Sequence, residues 1–441
     1  MTTVLLSAAS PALPSLRRLE DLLKAELASE GESDLRVFDL DRMKLDYCQG
    51  EFDCWVKTPG TCRIHDAEQE IVKAIHDSER LVILDVVTFG GHSYTLKRAQ
   101  DRSICLVSPF FTKRSALTHH VRRYEASAGL FALGWSQVAN PEETRTWCEL
   151  ADANAINMLA PRVGAAVVDD AGEARWADTV RALFRDAGEP GRGIEGREPL
   201  HQAMLEATEP FAAPAPLGAV KTAALLIGSA KIKGTSVSEN LARALSSRLT
   251  RLGVSTEIHF ATEFLHEGSG RSAAESIAKA DLFVLVTPLY VDALPALATL
   301  ALESVAALRA SIAPPSRFVL LINSGFPEPE QNRNALRIAR HFASRTGYHY
   351  CGGLPLGGGA TLNPEQLLDE QRGPAEHVKH ALDLAAAALA RGENIPRDAV
   401  ESMIKAPLPD ALYRLVGDLG WRYQAFQNGV PQRALRARPL D

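Results

Sequence analysis

Leu226-Ile227-Gly228-Ser229-Ala230-Lys231-Ile232-Lys233-Gly234-Thr235-Ser236-Val237-Ser238-Glu239-Asn240-Leu241 decides how this chain is read. The apolar run that leads into it, Thr222 to Ile227, has the length and composition of a buried parallel strand. It stops at Gly228-Ser229, crosses a small, basic, hydroxyl-rich loop and enters an amphipathic helix at about Ser236. That order aims free backbone N–H groups, hydroxyl donors and the positive end of a helix dipole at one point. A phosphate fits there. The loop has neither G-x-x-x-x-G-K-[ST] nor G-x-G-x-x-G spacing. Ser, Thr and Asn side chains would therefore supply the hydrogen bonds, as suits a single terminal phosphate monoester. The competing reading is an ordinary Ser-capped helix after a strand.

The rest of the chain sets the frame for this loop. With 441 residues it exceeds what one compact core holds, which argues for two domains. A net charge of −6 is weak for that length, so nothing global points to nucleic acid or a membrane surface. Met1-Thr2-Thr3-Val4-Leu5-Leu6-Ser7 has no basic leader region, and no apolar run is long enough to span a bilayer. Six cysteines in a chain of this size do not make a disulfide framework. The expected location is cytoplasmic.

Apolar periodicity predicts strands at 4–7, 35–40, 81–87, 104–108, 130–133 and 162–168. Helices are expected up to Ser29, from Ala67, and at 92–101, 118–126 and 142–159. From Gly188 to Val220 the texture turns to Gly and Pro, which reads as a linker. The alternation then resumes, with strands at 222–227, 254–260, 281–287, 317–323 and 347–352. Helices are expected at 236–252, 272–280, 293–309, 328–345 and 364–391. The layout is a domain over 1–187, a linker at 188–220, a second domain over 221–395 and a helical tail at 396–441. Such alternation argues for α/β domains with parallel sheets covered on both faces.

The halves look like copies. Leu81 to Phe89 lies without gaps on Leu282 to Tyr290. The phosphate-type loop recurs in decayed form, with Ser7-Ala8 standing where Gly228-Ser229 stands and Pro14 crowding the helix start. A repeat of this length is an array of two whole domains.

Three motifs give each half a resemblance to the flavodoxin-like, NADPH-dependent FMN reductase family, which includes iron–sulfur flavoproteins. They are the Gly228 to Ser238 loop, the Pro288-Leu289-Tyr290-Val291-Asp292 turn echoed by Thr88-Phe89-Gly90-Gly91, and the cysteine loop Cys48 to Cys62 with Asp66 after it. The resemblance covers nearly the whole chain apart from linker and tail. It implies two flavodoxin-like doubly wound domains in tandem, with sheet order 2-1-3-4-5 and a flavin at the carboxyl ends of the strands. Carried over residue by residue, Ser229, Lys231, Ser236, Val237 and Ser238 match the family's phosphate loop. Pro288, Leu289, Tyr290 and Val291 match the turn against the flavin ring, and Asn323, Ser324, Gly325 and Phe326 match the loop after the fourth strand. Gly353 and Gly357-Gly358-Gly359 allow further close backbone approach. One FMN per chain is expected, in the second half, with NAD(P)H as cosubstrate. Family members are commonly dimers, so the resemblance implies a homodimer, or two fused halves that imitate one.

The cysteine loop is weighed separately. Cys48, Cys54 and Cys62 could ligate iron or zinc. Where the iron–sulfur pattern has a further Cys, this chain has Glu51, which argues against a cluster. Cys105 and Cys148 read as small buried hydrophobes. His119-His120 reads as a solvated helix start. Trp421, Tyr423 and Phe426 mark the tail as an oligomerisation or lid element.

The preferred reading is an FMN-dependent NAD(P)H oxidoreductase acting on a small acceptor such as a quinone, azo compound or flavin. It asks for no catalytic side chain. The alternatives are a flavodoxin-type electron carrier and a flavin-free assembly module.

Overall fold

The computed structural model describes residues 2–29, 31, 34–212, 217–309 and 315–441. The chain divides into two compact units, Met1–Glu195 with Arg414–Asp441, and Gly196–Tyr413.

Unit 1 holds strands β1 (Thr2–Ser7), β2 (Asp34–Asp39), β3 (Arg80–Val86), β4 (Val107–Arg114), β5 (Leu117–Arg122), β6 (Gly129–Ser136) and β7 (Val163–Asp169). Five of them form a parallel sheet in the order β2-β1-β3-β6-β7. Unit 2 holds β8 (Thr222–Ile227), β9 (Ser255–Phe260), β10 (Leu282–Pro288), β11 (Ser316–Asn323) and β12 (Tyr348–Leu356). These form a parallel sheet in the order β9-β8-β10-β11-β12. Numbered along the chain, both sheets read 2-1-3-4-5, the doubly wound order in which the crevice opens between the first and third strands.

Composition explains the placement of the strands. β10 (Leu-Phe-Val-Leu-Val-Thr-Pro) is buried along all but its last residue, as a central strand covered on both faces must be. β2 and β9 carry charged residues on exposed positions and lie at the edges. On one face of unit 2, Leu225, Ile227, Val284, Val286, Val319 and Leu321 pack under the helices Val237–Arg251 and Ala375–Ala390. On the other, Phe283 and Phe318 stand 5.0 Å apart and meet Phe342 of the helix Arg333–Thr346.

Several expected elements differ. The strand at 104–108 and the helix at 118–126 are replaced by a 3-10 turn, Ser103–Leu106, and the antiparallel hairpin β4–β5. Its two-residue loop, Ser115-Ala116, takes positive φ at both positions (45° and 69°). A turn of that kind is usually announced by Asn-Gly, and here the sequence offers no such signal. The fourth parallel strand is therefore β6. The expected linker is not one irregular stretch: Glu198–Thr208 is a helix of unit 2 that buries Leu200, Met204 and Ala207. The Tyr350 hydroxyl donates to the Ala207 carbonyl at 3.1 Å, and the Phe211 N–H to the Tyr350 carbonyl at 2.9 Å. Residues 213–216 of that linker lie outside the described residues. The helix expected at 364–391 begins only at Ala375, because Gly373-Pro374 precedes it. The one expected at 328–345 begins at Arg333 after a 3-10 turn, Pro329–Asn332.

The repeat is real but its register is one residue from the ungapped alignment. Ala8 N donates to Leu84 O at 2.9 Å, and Gly228 N to Val286 O at 2.8 Å. Leu84 thus corresponds to Val286, and Ala8-Ala9, not Ser7-Ala8, to Gly228-Ser229.

Candidate functional site

At the carboxyl end of β8, Gly228 turns the chain past β10. A Cβ there would stand 2.5 Å from Thr287 Oγ1 and 3.0 Å from Ala298 Cβ, so only glycine lets the loop leave the sheet this closely. Ser229 is buried, and its hydroxyl accepts from Lys231 N at 3.3 Å. Gly234 reverses the loop at φ 86°. Ser236 is the N-cap of the helix Val237–Arg251, its hydroxyl accepting from Glu239 N at 3.4 Å. The first turn beyond it supplies N–H groups that have no partner within the helix. The Glu239 carboxylate folds back to accept from Gly234 N at 2.6 Å and is held by Arg243 at 2.8 Å.

The other candidate segments come to the same place. Asn323, at the end of β11, donates from Nδ2 to Ser238 Oγ at 2.8 Å and to Thr287 O at 3.2 Å. One side chain thus ties the phosphate-type loop to two strands. Leu289 N donates to Asn323 O at 2.9 Å, and Tyr290 and Ala293 exchange backbone bonds of 3.0 and 3.1 Å. Between them Val291 and Asp292 take φ values of 46° and 59°. Left-handed backbone at a β-branched residue stores strain, about 1–3 kcal/mol in general, and such strain clusters at functional sites. Pro288, Leu289, Tyr290 and Val291 are all half-buried, an apolar platform with one accessible side. Gly359 N donates to Ser324 O at 2.9 Å and Gly358 N to Phe326 O at 2.6 Å. A Cβ on Gly359 would stand 3.0 Å from Asn323 Oδ1. Gly353 lies mid-strand in β12 and belongs to the packing: a Cβ there would meet the Tyr350 hydroxyl at 2.7 Å.

Three residues of the site lay outside the sequence reading. Thr287 walls Gly228. Glu239 stiffens the phosphate-type loop, and its Arg243 partner at i+4 was the available signal. Tyr413, buried, donates from its hydroxyl to Gly325 O at 2.6 Å.

The corresponding place in unit 1 is built differently. The strained turn persists, with Thr88 and Gly91 exchanging bonds of 2.9 Å around Phe89 (φ 53°) and Gly90 (φ 79°). At the position of Thr287 stands Asp85, fully buried, accepting from Ser93 N at 2.9 Å, Ser93 Oγ at 2.6 Å and Val86 N at 2.8 Å. The loop of small residues after β1 has Ser7 Oγ accepting from Ala9 N at 3.2 Å. The chain is two flavodoxin-like halves in tandem.

The cysteine loop is a packing element of unit 1. Trp55 is fully buried, stacks on Phe52 at 5.0 Å and meets Trp421 edge-on at 5.2 Å. Its Nε1 donates to Val107 O at 3.1 Å. Burial pushes the thiols of Cys48 and Cys54 well up and that of Cys105 to about 12. Arg102 Nη2 lies 3.6 Å from Cys62 Sγ. Among the described residues no three His, Cys, Asp or Glu side chains are grouped so as to hold a metal ion. His119 and His120 are in β5, not at a helix start. His119 Nδ1 meets Asn157 Oδ1 at 2.7 Å, and burial lowers His120 to about 3. No described helix is long and apolar enough to cross a membrane.

No family model and no curated protein matches the chain. Solved structures match parts of it. An NAD(P)H:quinone oxidoreductase from Methanothermobacter marburgensis is 16% identical, covering 39% of this chain and 96% of its own, with a TM-score of 0.29. An FMN-dependent NADH-azoreductase from Bacillus anthracis, solved with FMN, is 14% identical over 38% of this chain and 99% of its own, TM-score 0.28. An apo NADH:FMN oxidoreductase is 15% identical over 43% and 96%, TM-score 0.31.

Proposed function

We propose that unit 2 binds one FMN and that the protein passes hydride from NAD(P)H to a small acceptor such as a quinone, an azo compound or free flavin. The observation that carries this reading is the meeting of four loops at the carboxyl ends of β8, β10, β11 and β12, the first three tied by Asn323 and the last by the backbone of Ser324 and Phe326. The residues suit the cofactor. Ser229, Ser236 and the first-turn N–H groups offer donors to a phosphate, with Lys231 as a cation. The half-buried Pro288 to Val291 turn offers an apolar surface to a flat ring, and Gly325 has open space where a side chain would stand. Bound FMN supplies the hydride chemistry itself. The chain's part is to fix the phosphate, to hold the ring against the turn and to leave the other ring face open for a nicotinamide. Glu239, neutralised by Arg243, keeps the loop shaped before the ligand arrives, which lowers the ordering cost of binding.

The test is the visible spectrum of the purified protein, with released flavin counted per chain. One FMN per chain is expected, lost when Ser229 and Ser236 are both changed to Ala and retained when Ser10 and Ser15 are. Reduction of the bound flavin by NADH or NADPH should be rapid. A colourless protein that takes up no FMN would end this reading, and reduction only by a protein partner would make it an electron carrier.

A further inference from the structure

The helix Asp410–Gln427 is apolar on two sides. One side is satisfied within the chain: Gly417 lies against the Phe111 ring, Trp421 packs on Trp55 and Phe52, and Ala425 is buried with Phe110 and Leu435. The other side carries Leu412, Leu415, Val416, Leu419, Tyr423 and Phe426, from 44% exposed at Leu412 to 74% at Phe426. At 3.6 residues per turn these six fall in one stripe about 100° wide, the width of a core-facing surface. An exposed apolar stripe of that continuity marks an interaction site.

Five of the six residues are placed symmetrically about Leu419, and Val416 has Arg422 as its counterpart. Leu415 and Tyr423 stand one turn to either side, and Leu412 and Phe426 two turns. An antiparallel copy of the helix, with a two-fold axis at Leu419, sets Leu419 on its counterpart, Leu415 on Tyr423 and Leu412 on Phe426. An isologous contact requires that pattern, in which i meets j and j meets i. Six side chains about half exposed present on the order of 600 Å² per copy, or about 1,200 Å² for a pair, the lower edge of a specific interface. One flank of the stripe carries Asp418 beside Arg422 rather than forming the basic face that suits an anionic lipid surface.

We propose that this stripe pairs two copies of the chain, helix against antiparallel helix about Leu419. The pairing is independent of flavin binding and stands or falls without it. Sedimentation velocity of the full chain at micromolar concentrations should show a reversible dimer. Leu419→Glu places two like charges at the axis and should weaken association about a hundredfold or more, with an unchanged far-ultraviolet spectrum because the site is exposed. Leu419→Cys should give a disulfide-linked dimer under mild oxidation while the parent chain does not. A chain that stays monomeric throughout overturns the proposal. So does a dimer that Leu419→Glu leaves intact and Leu419→Cys does not cross-link. Monomers that co-sediment with phosphatidylglycerol vesicles, and lose this with Leu419→Glu, would give the stripe to a membrane surface instead.

Discussion

Replacing Gly228 by Ala is the sharpest test of how the phosphate-type loop is held. The new methyl would stand 2.5 Å from Thr287 Oγ1, 2.7 Å from Thr287 Cβ and 3.0 Å from Ala298 Cβ. None of these atoms is the free end of a flexible side chain. Thr287 is β-branched and fully buried in a central strand, its hydroxyl directed at Pro288 O at 3.1 Å, and Ala298 belongs to the buried helix Ala296–Arg309. Loop and strand must therefore part by several tenths of an ångström, and overpacking of this kind costs about 1–3 kcal/mol. If the strand holds, the loss appears in stability, at roughly 2–4 °C in Tm per kcal/mol for a unit of this size. If the loop yields, it appears in FMN affinity, at tenfold per ~1.4 kcal/mol. Heat denaturation and a flavin-fluorescence titration on the same sample read both shares. Adding Thr287→Ala should recover only part of the loss, because the Cβ contact remains. Gly228→Ala indistinguishable from the parent chain in both assays would refute the view that this contact positions the loop.

Two further expectations are as direct. Glu68 is fully buried, with neither carboxyl oxygen hydrogen-bonded, and burial pushes its pKa well above the ordinary carboxylate value despite Arg102 nearby. The folded state then holds the proton more tightly than the unfolded chain. Stability from this group is complete below the unfolded value of about 4.3 and falls as pH rises through the folded one. Glu68→Gln should make unit 1 more stable than the parent at pH 7–8, with the difference vanishing near pH 4, as read by urea denaturation across pH. Tyr413→Phe removes the 2.6 Å bond to Gly325 O and should cost about 1 kcal/mol, with weaker FMN binding if Gly325 lies beside the ring. Unchanged stability would show that the backbone bonds of Asn323, Ser324 and Phe326 hold the loop without Tyr413.

The parallel strands were legible because a strand buried on both faces must be a continuous apolar run, and β8, β10 and β11 are. The same uniformity hid their register. Leu81 to Val86 and Leu282 to Thr287 align equally well one residue apart, and only the bonds to β1 and β8 decide between the two. The hairpin β4–β5 could not be read, because its turn sets Ser and Ala in backbone usually left to Gly and Asn. The helix Glu198–Thr208 was masked by the Gly- and Pro-rich stretches on either side, although Leu200, Met204 and Ala207 have helical spacing. At the candidate site the loop hydroxyls announced themselves by their order after a strand. Thr287 and Tyr413 act through shape and one hydrogen bond each, and neither leaves a local pattern.

The left-handed turn that follows the third strand occurs twice, at Phe89-Gly90 and at Val291-Asp292. Only the second stands beside a loop furnished for phosphate. The chain thus carries its own blank. In amide exchange or chemical-shift mapping during a flavin titration, whatever both turns do belongs to the scaffold and its solvent. What the second does alone is the ligand's signature, read against an internal reference at equal concentration in the same tube.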